Sequence, residues 1–260
     1  VVNTNGQVVV YLGDDERGEY LYKFVSKGQY NANDKAANSD LLDSGTLYVA
    51  KFTATANELK GKGEWIELTQ GKNGLTTENG FADQATVLIR TRQAATQAGG
   101  TTMDRPEWVA IHPDKKTVYC TLTNNKNRGK KDNQPVGGVN PRAENHYGHI
   151  VRWTPAQGDH SSPHFDWDLF VLAGNPTIHT DAYAGSANIN KENMFNSPDG
   201  LGFDGAGRLW ILTDGNYSNE KDFVGMGNNQ MLCADPISGE IRRFLTGPIG
   251  CEITGLTFSS

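Results

Sequence analysis

The chain has 260 residues, with 30 glycines, 10 prolines, 37% hydrophobic residues and a mean hydropathy of -0.55, a composition that suits a soluble domain rich in short strands and turns. No apolar run is long enough to span a bilayer as a helix, and a formal net charge of -6 argues against nucleic acid as the partner while slightly favouring cations. Three cysteines give an odd count without disulfide-rich spacing. Cys120 and Cys233 sit in apolar strand patterns and read as buried thiols, and Cys251, beside Glu252, reads as structural too.

Residues 7–12 and 20–25 flank Gly13-Asp14-Asp15-Glu16-Arg17-Gly18 and predict a hairpin with an acidic turn. That turn resembles part of a calcium loop but lacks the alternating ligands and distal glutamate of an EF-hand, so it reads as a solvated turn. Residues 46–53 and 63–68 predict another strand pair. Over 83–98, Ala85, Leu88, Ile89 and Arg92 fall at helical spacing and Gly99-Gly100 stops the run, which predicts a helix. Strands follow at 117–124, 149–154, 208–214 and 230–234. Two long polar loops, 124–140 and 175–196, have the length at which loops are functional or disordered.

One pattern recurs. Asp104-Arg105-Pro106-Glu107-Trp108-Val109-Ala110-Ile111 returns, altered, as Ser197-Pro198-Asp199-Gly200-Leu201-Gly202-Phe203. Aligned on the prolines, each copy has an acid one residue on, an apolar residue five on, then a turn and a β-rich strand. A third partial copy is expected at Cys251-Glu252-Ile253-Thr254-Gly255-Leu256-Thr257-Phe258. Asp199 follows Glu107 by 92 residues, about two periods of a ~40–45-residue propeller blade. An all-β fold, a β-propeller with an incomplete set of blades and loop or helix insertions, is therefore expected, with residues 1–260 as one propeller domain. Both ends fall inside this pattern, so segments are expected on either side, and an incomplete ring with open sheet edges is expected to be marginal by itself.

The sequence has no phosphate-binding P-loop, nucleophile elbow, His-Glu-x-x-His or paired Cys-x-x-Cys motif. His146 and His149, three residues apart in a strand-like setting, would point oppositely, so no zinc pair is expected there. Oxygen chemistry remains. Glu107, Asp199 and Glu252 would enter the channel from equivalent positions, with Asn124, Asn196 and Asp214 as further hard donors, a set that suits calcium, magnesium, manganese or ferric iron. Arg105 would then place a guanidinium fork on a phosphate or carboxylate. The alternative is that Arg105 and Glu107 only cap a strand and pair with their neighbours.

The sequence also resembles the PhoX-type alkaline phosphatases. The similarity runs in order through Gly13-Asp14-Asp15-Glu16-Arg17, Tyr20-Leu21-Tyr22-Lys23-Phe24-Val25-Ser26, Asp104-Arg105-Pro106-Glu107-Trp108, Cys120-Thr121-Leu122-Thr123-Asn124-Asn125, Asn140-Pro141-Arg142-Ala143-Glu144-Asn145, Tyr147-Gly148-His149-Ile150, Asn196-Ser197-Pro198-Asp199-Gly200-Leu201 and Gly250-Cys251-Glu252-Ile253-Thr254-Gly255. The resemblance implies an exported β-propeller phosphomonoesterase, periplasmic or extracellular, that uses Fe(III) and Ca2+ on small phosphate esters. It implies a phosphate-contacting role for Arg105 and iron ligation by Glu107. Asp199, Asn196 and Glu252 are assigned to calcium or to support of the cluster from the repeat. The family's metal-binding cysteine and a further iron ligand belong to an upstream segment, and none of the cysteines here lies in a matching context, so the resemblance implies that these 260 residues alone do not assemble the full cluster and are inactive. Two other readings use the same acids: a calcium-dependent propeller hydrolase acting on lactones or phosphodiesters, and a non-catalytic propeller module with structural calcium.

Overall fold

The computed structural model describes residues 1–259, which are mostly antiparallel sheet with few helices. The strands are β1 (Gln7–Gly13), β2 (Leu21–Gln29), β3 (Gly45–Ala54), β4 (Lys60–Glu67), β5 (Pro106–Ile111), β6 (Val118–Leu122), β7 (His149–Pro155), β8 (His164–Leu172), β9 (Pro198–Phe203), β10 (Leu209–Thr213), β11 (Gln230–Ala234) and β12 (Ile241–Thr246). They form three consecutive meanders, β1–β4, β5–β8 and β9–β12. The first two join through β4 and β8 into one eight-stranded sheet, ordered β1-β2-β3-β4-β8-β7-β6-β5, and the third is a separate four-stranded sheet.

The joint between β4 and β8 differs from the separate blades expected from sequence. Its register pairs Lys60 with Asp168 and Glu64 with His164. At Gly63 the absent Cβ leaves room for the Phe165 ring, which a side chain there would overlap. The Trp167 indole donates to the Lys62 carbonyl at 3.0 Å. The free edges of the sheet, β1 and β5, also approach each other. A Cβ on Gly13 would overlap the carbonyl oxygens of Pro106 and Glu107, so only glycine lets the sheet close this far. The start of β5 therefore meets the end of β1.

Burial explains the strand faces. Tyr11, Leu21, Val25, Ala50, Trp65, Val118, Cys120, Val151, Trp153, Phe165 and Trp167 fill the space inside the eight-stranded sheet. Tyr119, Ile150 and Val171 pack with Leu201, Leu209, Ile211 and Leu232, which cements the third meander onto the second. Each such large side chain contributes roughly 1.5–3 kcal/mol on burial. Cys120 is fully buried, as expected, whereas Cys233 is only partly covered and Cys251 partly exposed.

Four sequence expectations change. The helix over 83–98 is two short helices, α1 (Gln84–Ile89) and α2 (Thr91–Ala98), broken at Arg90 with φ -102° and ψ 43°. Their buried residues are Val87, Ala94 and Ala95, while Leu88 and Ile89 point to solvent, because the break rotates the apolar stripe. Only one meander, β5–β8, separates Glu107 from Asp199. The long loops after β6 and β8 stretch its length to that of two ordinary blades. Residues 251–259 carry no strand. They are held instead as coil, the Cys251 carbonyl accepting from the Asn229 amide at 3.0 Å and the Ile253 N–H donating to the Thr213 carbonyl at 3.3 Å.

Candidate active site

Both Pro-acid segments begin with a strained residue. Arg105 has φ 60° and Ser197 has φ 51°, each directly before the proline that opens β5 or β9. A following proline already disfavours right-handed helical backbone at these positions. Their carbonyls are pinned equivalently, that of Arg105 by the Thr123 N–H and that of Ser197 by the Asp214 N–H, both at 3.1 Å. Thr123 follows β6 and Asp214 follows β10, so the two meanders present their acids from matching corners. The buried Thr121 hydroxyl bridges them, donating to the Asp199 carbonyl at 2.6 Å and accepting from the Trp108 N–H at 3.0 Å.

Arg105 lies between carboxylates. Its Nε is 2.7 Å from Asp15 Oδ1 and its Nη2 donates to Asp15 Oδ2 at 2.9 Å, a two-pronged ion pair, while Glu107 Oε1 is 3.5 Å away. Asp15 is the member of this group that the sequence reading left out, having been taken as part of a solvated turn. Arg17 of the same turn is the second, donating to Asn124 Oδ1 at 3.1 Å. The signal that would have found them is the turn's place at the end of β1, against the start of β5.

Asp199, Asp214 and Glu252 form the other half of the site, offering carboxylate oxygens within 4.8 Å of one another. Electrostatics couples the halves. Glu107 is pushed from the ordinary 4.5 to about 8, chiefly by burial, then by its hydrogen bond with Asp15 and by the charges of Asp199 and Asp15. Asp199 rises to about 6 through burial and then the charges of Asp214 and Glu252. Glu252 is raised in the same way, by burial first and Asp214 second. Burial also pushes on Asp15, but its hydrogen bonds with Glu107 and Arg105 outweigh this and hold it below the ordinary value. In the free site Glu107 thus keeps its proton and Asp15 carries the charge facing Arg105. Acids crowded in this way repel one another when ionised, and a cation shared among them would relieve that repulsion.

The structure brings Arg105, Glu107, Asp199 and Glu252 into this one group, with Asp214. Asn196 stands beside it with its amide engaged: Oδ1 accepts from the Asn216 N–H at 2.9 Å and the Ser197 hydroxyl at 3.1 Å, and Nδ2 donates to the Asn216 carbonyl at 3.2 Å. A Cβ on Gly215 would overlap that Oδ1, so the glycine admits the amide. Beneath Arg105, the fully buried Asp104 pairs with Arg128 at 2.7 Å and accepts from the amides of Asn125 and Asn145, both at 2.9 Å. This network orders the long polar loop after β6 and anchors the backbone that carries Arg105.

No curated protein matches the chain. The solved structure of Pseudomonas fluorescens PhoX in complex with vanadate, a transition state analogue, is similar, with 61% identity over 97% of this chain and a TM-score of 0.95. The chain spans 44% of that protein's chain. The profile of the family alkaline phosphatase PhoX matches residues 1–260. The chain that closes its sheet on Gly13 and sets Arg105 among these acids belongs to the PhoX alkaline phosphatase family.

Proposed function

We propose that the complete protein is a metal-dependent phosphomonoesterase that releases inorganic phosphate from small phosphate esters. The observation that carries this reading is the guanidinium of Arg105, held in a fork by Asp15 beside a group of acids with raised proton affinity. In the similar Pseudomonas protein the bound group is vanadate, a transition state analogue.

The donor set fits hard cations, because Glu107, Asp199, Asp214 and Glu252 supply oxygen only, and Asp199, Asp214 and Glu252 already crowd within 4.8 Å. Fe(III) and Ca2+ are the proposed ions, with Glu107 on iron and Asp199, Asp214 and Glu252 on calcium or supporting the cluster. Held by these carboxylates, such ions would supply charge to offset the phosphate oxygens and to acidify water. Asn196 supports the 215–216 turn from its hydrogen-bonded position.

The chain's own contribution is positional and electrostatic. Asp15 keeps the Arg105 fork flat and aimed before substrate arrives, so little reorganisation is needed when negative charge builds on the phosphoryl oxygens. A phosphate competes with Asp15 for the same two N–H groups. Glu107 must lose its proton before it can act as a ligand, and the nearby positive charge of Arg105 eases that loss.

The meanders are proposed as blades of a β-propeller. Their support is the contact of β5 with β9 and the matching Pro-acid corners at one end of both strands. Export to the periplasm or the cell surface accompanies this reading, and cell fractionation tests it. For function, the test is metal analysis and hydrolysis of a chromogenic phosphate ester by the full-length protein. Glu107→Ala is expected to lose iron and activity together, and unchanged iron content would sink the assignment.

A further inference from the structure

A second group of metal-type donors shares no residue with the first. His146 lies just before β7, His179 in the loop after β8, and Asp222 in the short helical turn Lys221–Phe223. One donor atom from each lies within 4.8 Å of the others. His146 Nε2 is 3.7 Å from Asp222 Oδ2, and His179 Nε2 is 3.9 Å from Asp222 Oδ1. Ligands held ~2.1 Å from one tetrahedral ion sit roughly 3.4 Å apart, so little movement is needed to close on an ion.

The surroundings are built to present these donors. His146 Nδ1 is 3.0 Å from the Glu144 carbonyl, which can only accept, so the ring proton sits on Nδ1 and the Nε2 lone pair is free. That Nε2 is buried and has no hydrogen-bond partner. The ring is held in place by Tyr183, stacked at 5.5 Å and 17°, and by the edge-on ring of Phe223. The Tyr147 hydroxyl donates to the Asp222 carbonyl at 2.6 Å and meets His179 Nε2 at 2.9 Å. Asn175 donates to the carbonyls of Asp222 at 3.1 Å and Val224 at 2.8 Å, tying the loop of His179 to the turn of Asp222.

We infer that His146, His179 and Asp222 form a site for a divalent first-row transition ion, with Zn2+ the best match to two imidazoles and one carboxylate. His146 binds through its free Nε2. His179 shifts its proton from Nε2 to Nδ1 and exchanges the contact with Tyr147 for the ion, while Tyr147 keeps its bond to the Asp222 carbonyl. Asp222 is half-exposed and leaves a position open to water. Occupancy links three loops, 144–147, 175–183 and 221–224. The site stands whether or not the phosphatase reading holds.

The test uses untagged full-length protein carrying its own tightly bound metals, titrated with Zn2+ against a chromophoric chelator at neutral pH. Wild type is expected to take up one additional Zn2+ per chain, and His146→Gln and Asp222→Asn each to weaken it at least ~10-fold. Asp222→Asn removes no side-chain hydrogen bond and should melt with wild type when no zinc is added, whereas His146→Gln gives up the bond to the Glu144 carbonyl and the stack on Tyr183 and should melt lower with or without zinc. Co2+ should give wild type a visible ligand-field spectrum that both variants lack. Failure of wild type to compete with the chelator, or wild-type zinc affinity in both variants, overturns the inference.

Discussion

Glu107→Gln separates the electrostatics of the free site from its chemistry. In the folded, metal-free protein the Glu107 carboxyl titrates at about 8 against an ordinary 4.5. The fold therefore favours the protonated form. That preference is fully present below 4.5 and is lost as pH rises through about 8, so metal-free wild type should lose stability across this window. At ~1.4 kcal/mol per pH unit of displacement, the upper limit is about 4–5 kcal/mol. Asp15, which makes the close contact, is 40% exposed at its side chain, and solvent there screens the interaction. Screening brings the expected difference to ~1–2 kcal/mol. Glutamine mimics the protonated acid and cannot ionise. Urea unfolding of chelator-treated protein should therefore give equal stabilities at about pH 5 and a variant more stable by ~1–2 kcal/mol at about pH 9. A variant less stable than wild type by the same amount at both values would show that Glu107 is ionised in the fold throughout, and the account of the free site would fail.

On the proposed function, Arg105→Lys in the complete protein keeps the charge and removes the fork, so kcat for a chromogenic phosphate ester should fall ~10²–10³-fold with metal content unchanged; lost metal would show instead that the arginine holds the metal site together. Asp104→Ala leaves the Arg128 guanidinium buried without its partner and should cost about 3–5 kcal/mol in chemical denaturation. Gly215→Ala forces a methyl into the space of Asn196 Oδ1 and should cost ~1–3 kcal/mol of stability, most of it recovered when Asn196→Ala is added.

How far the sequence could be read depended on the range of the interaction. The Pro-acid pairs are local: proline dictates the backbone one residue away, and the acid follows at once, so the places of Glu107 and Asp199 at the strand openings were visible. Asp15 was not, because its meaning comes from Arg105, 90 positions along the chain, through a closure that Gly13 alone permits. The strands at 149–154, 208–214 and 230–234 were legible from apolar and β-branched runs. The helix was legible only as an existence, because the break at Arg90 is a backbone event that periodicity averages over and it reversed which residues are buried. The spacing of the two copies misled on the number of meanders, since loop length is free to vary and carries no information about strand count. His146 was rejected as a metal ligand for its pairing with His149, and rightly in that respect. His149 is fully buried, with Nε2 on the Val139 carbonyl at 2.8 Å and Nδ1 near the Asn145 amide at 3.0 Å. The partners that matter for His146 come from two other loops.

The two Pro-acid corners show how one backbone device yields two chemical roles. Arg105 and Ser197 occupy the same left-handed conformation before proline, each at a cost of order 1–3 kcal/mol. Each is held there by a hydrogen bond to its carbonyl from the residue that follows the next strand. The corner turns the following acid towards the shared centre, and it frees the side chain of the strained residue to point elsewhere. In the first copy that side chain is a guanidinium, set against Asp15 and ready to exchange one anion for another. In the second it is a hydroxyl, which donates to Asn196 at 3.1 Å and accepts from Asn124 at 3.3 Å, so it ties the loops behind the acids together. The strain is thus common to both meanders while the chemistry is assigned to one. The asymmetry matters electrostatically, because Arg105 already lowers the proton affinity of Glu107 and Asp199, and a second arginine in place of Ser197 would weaken further the crowding that raises them.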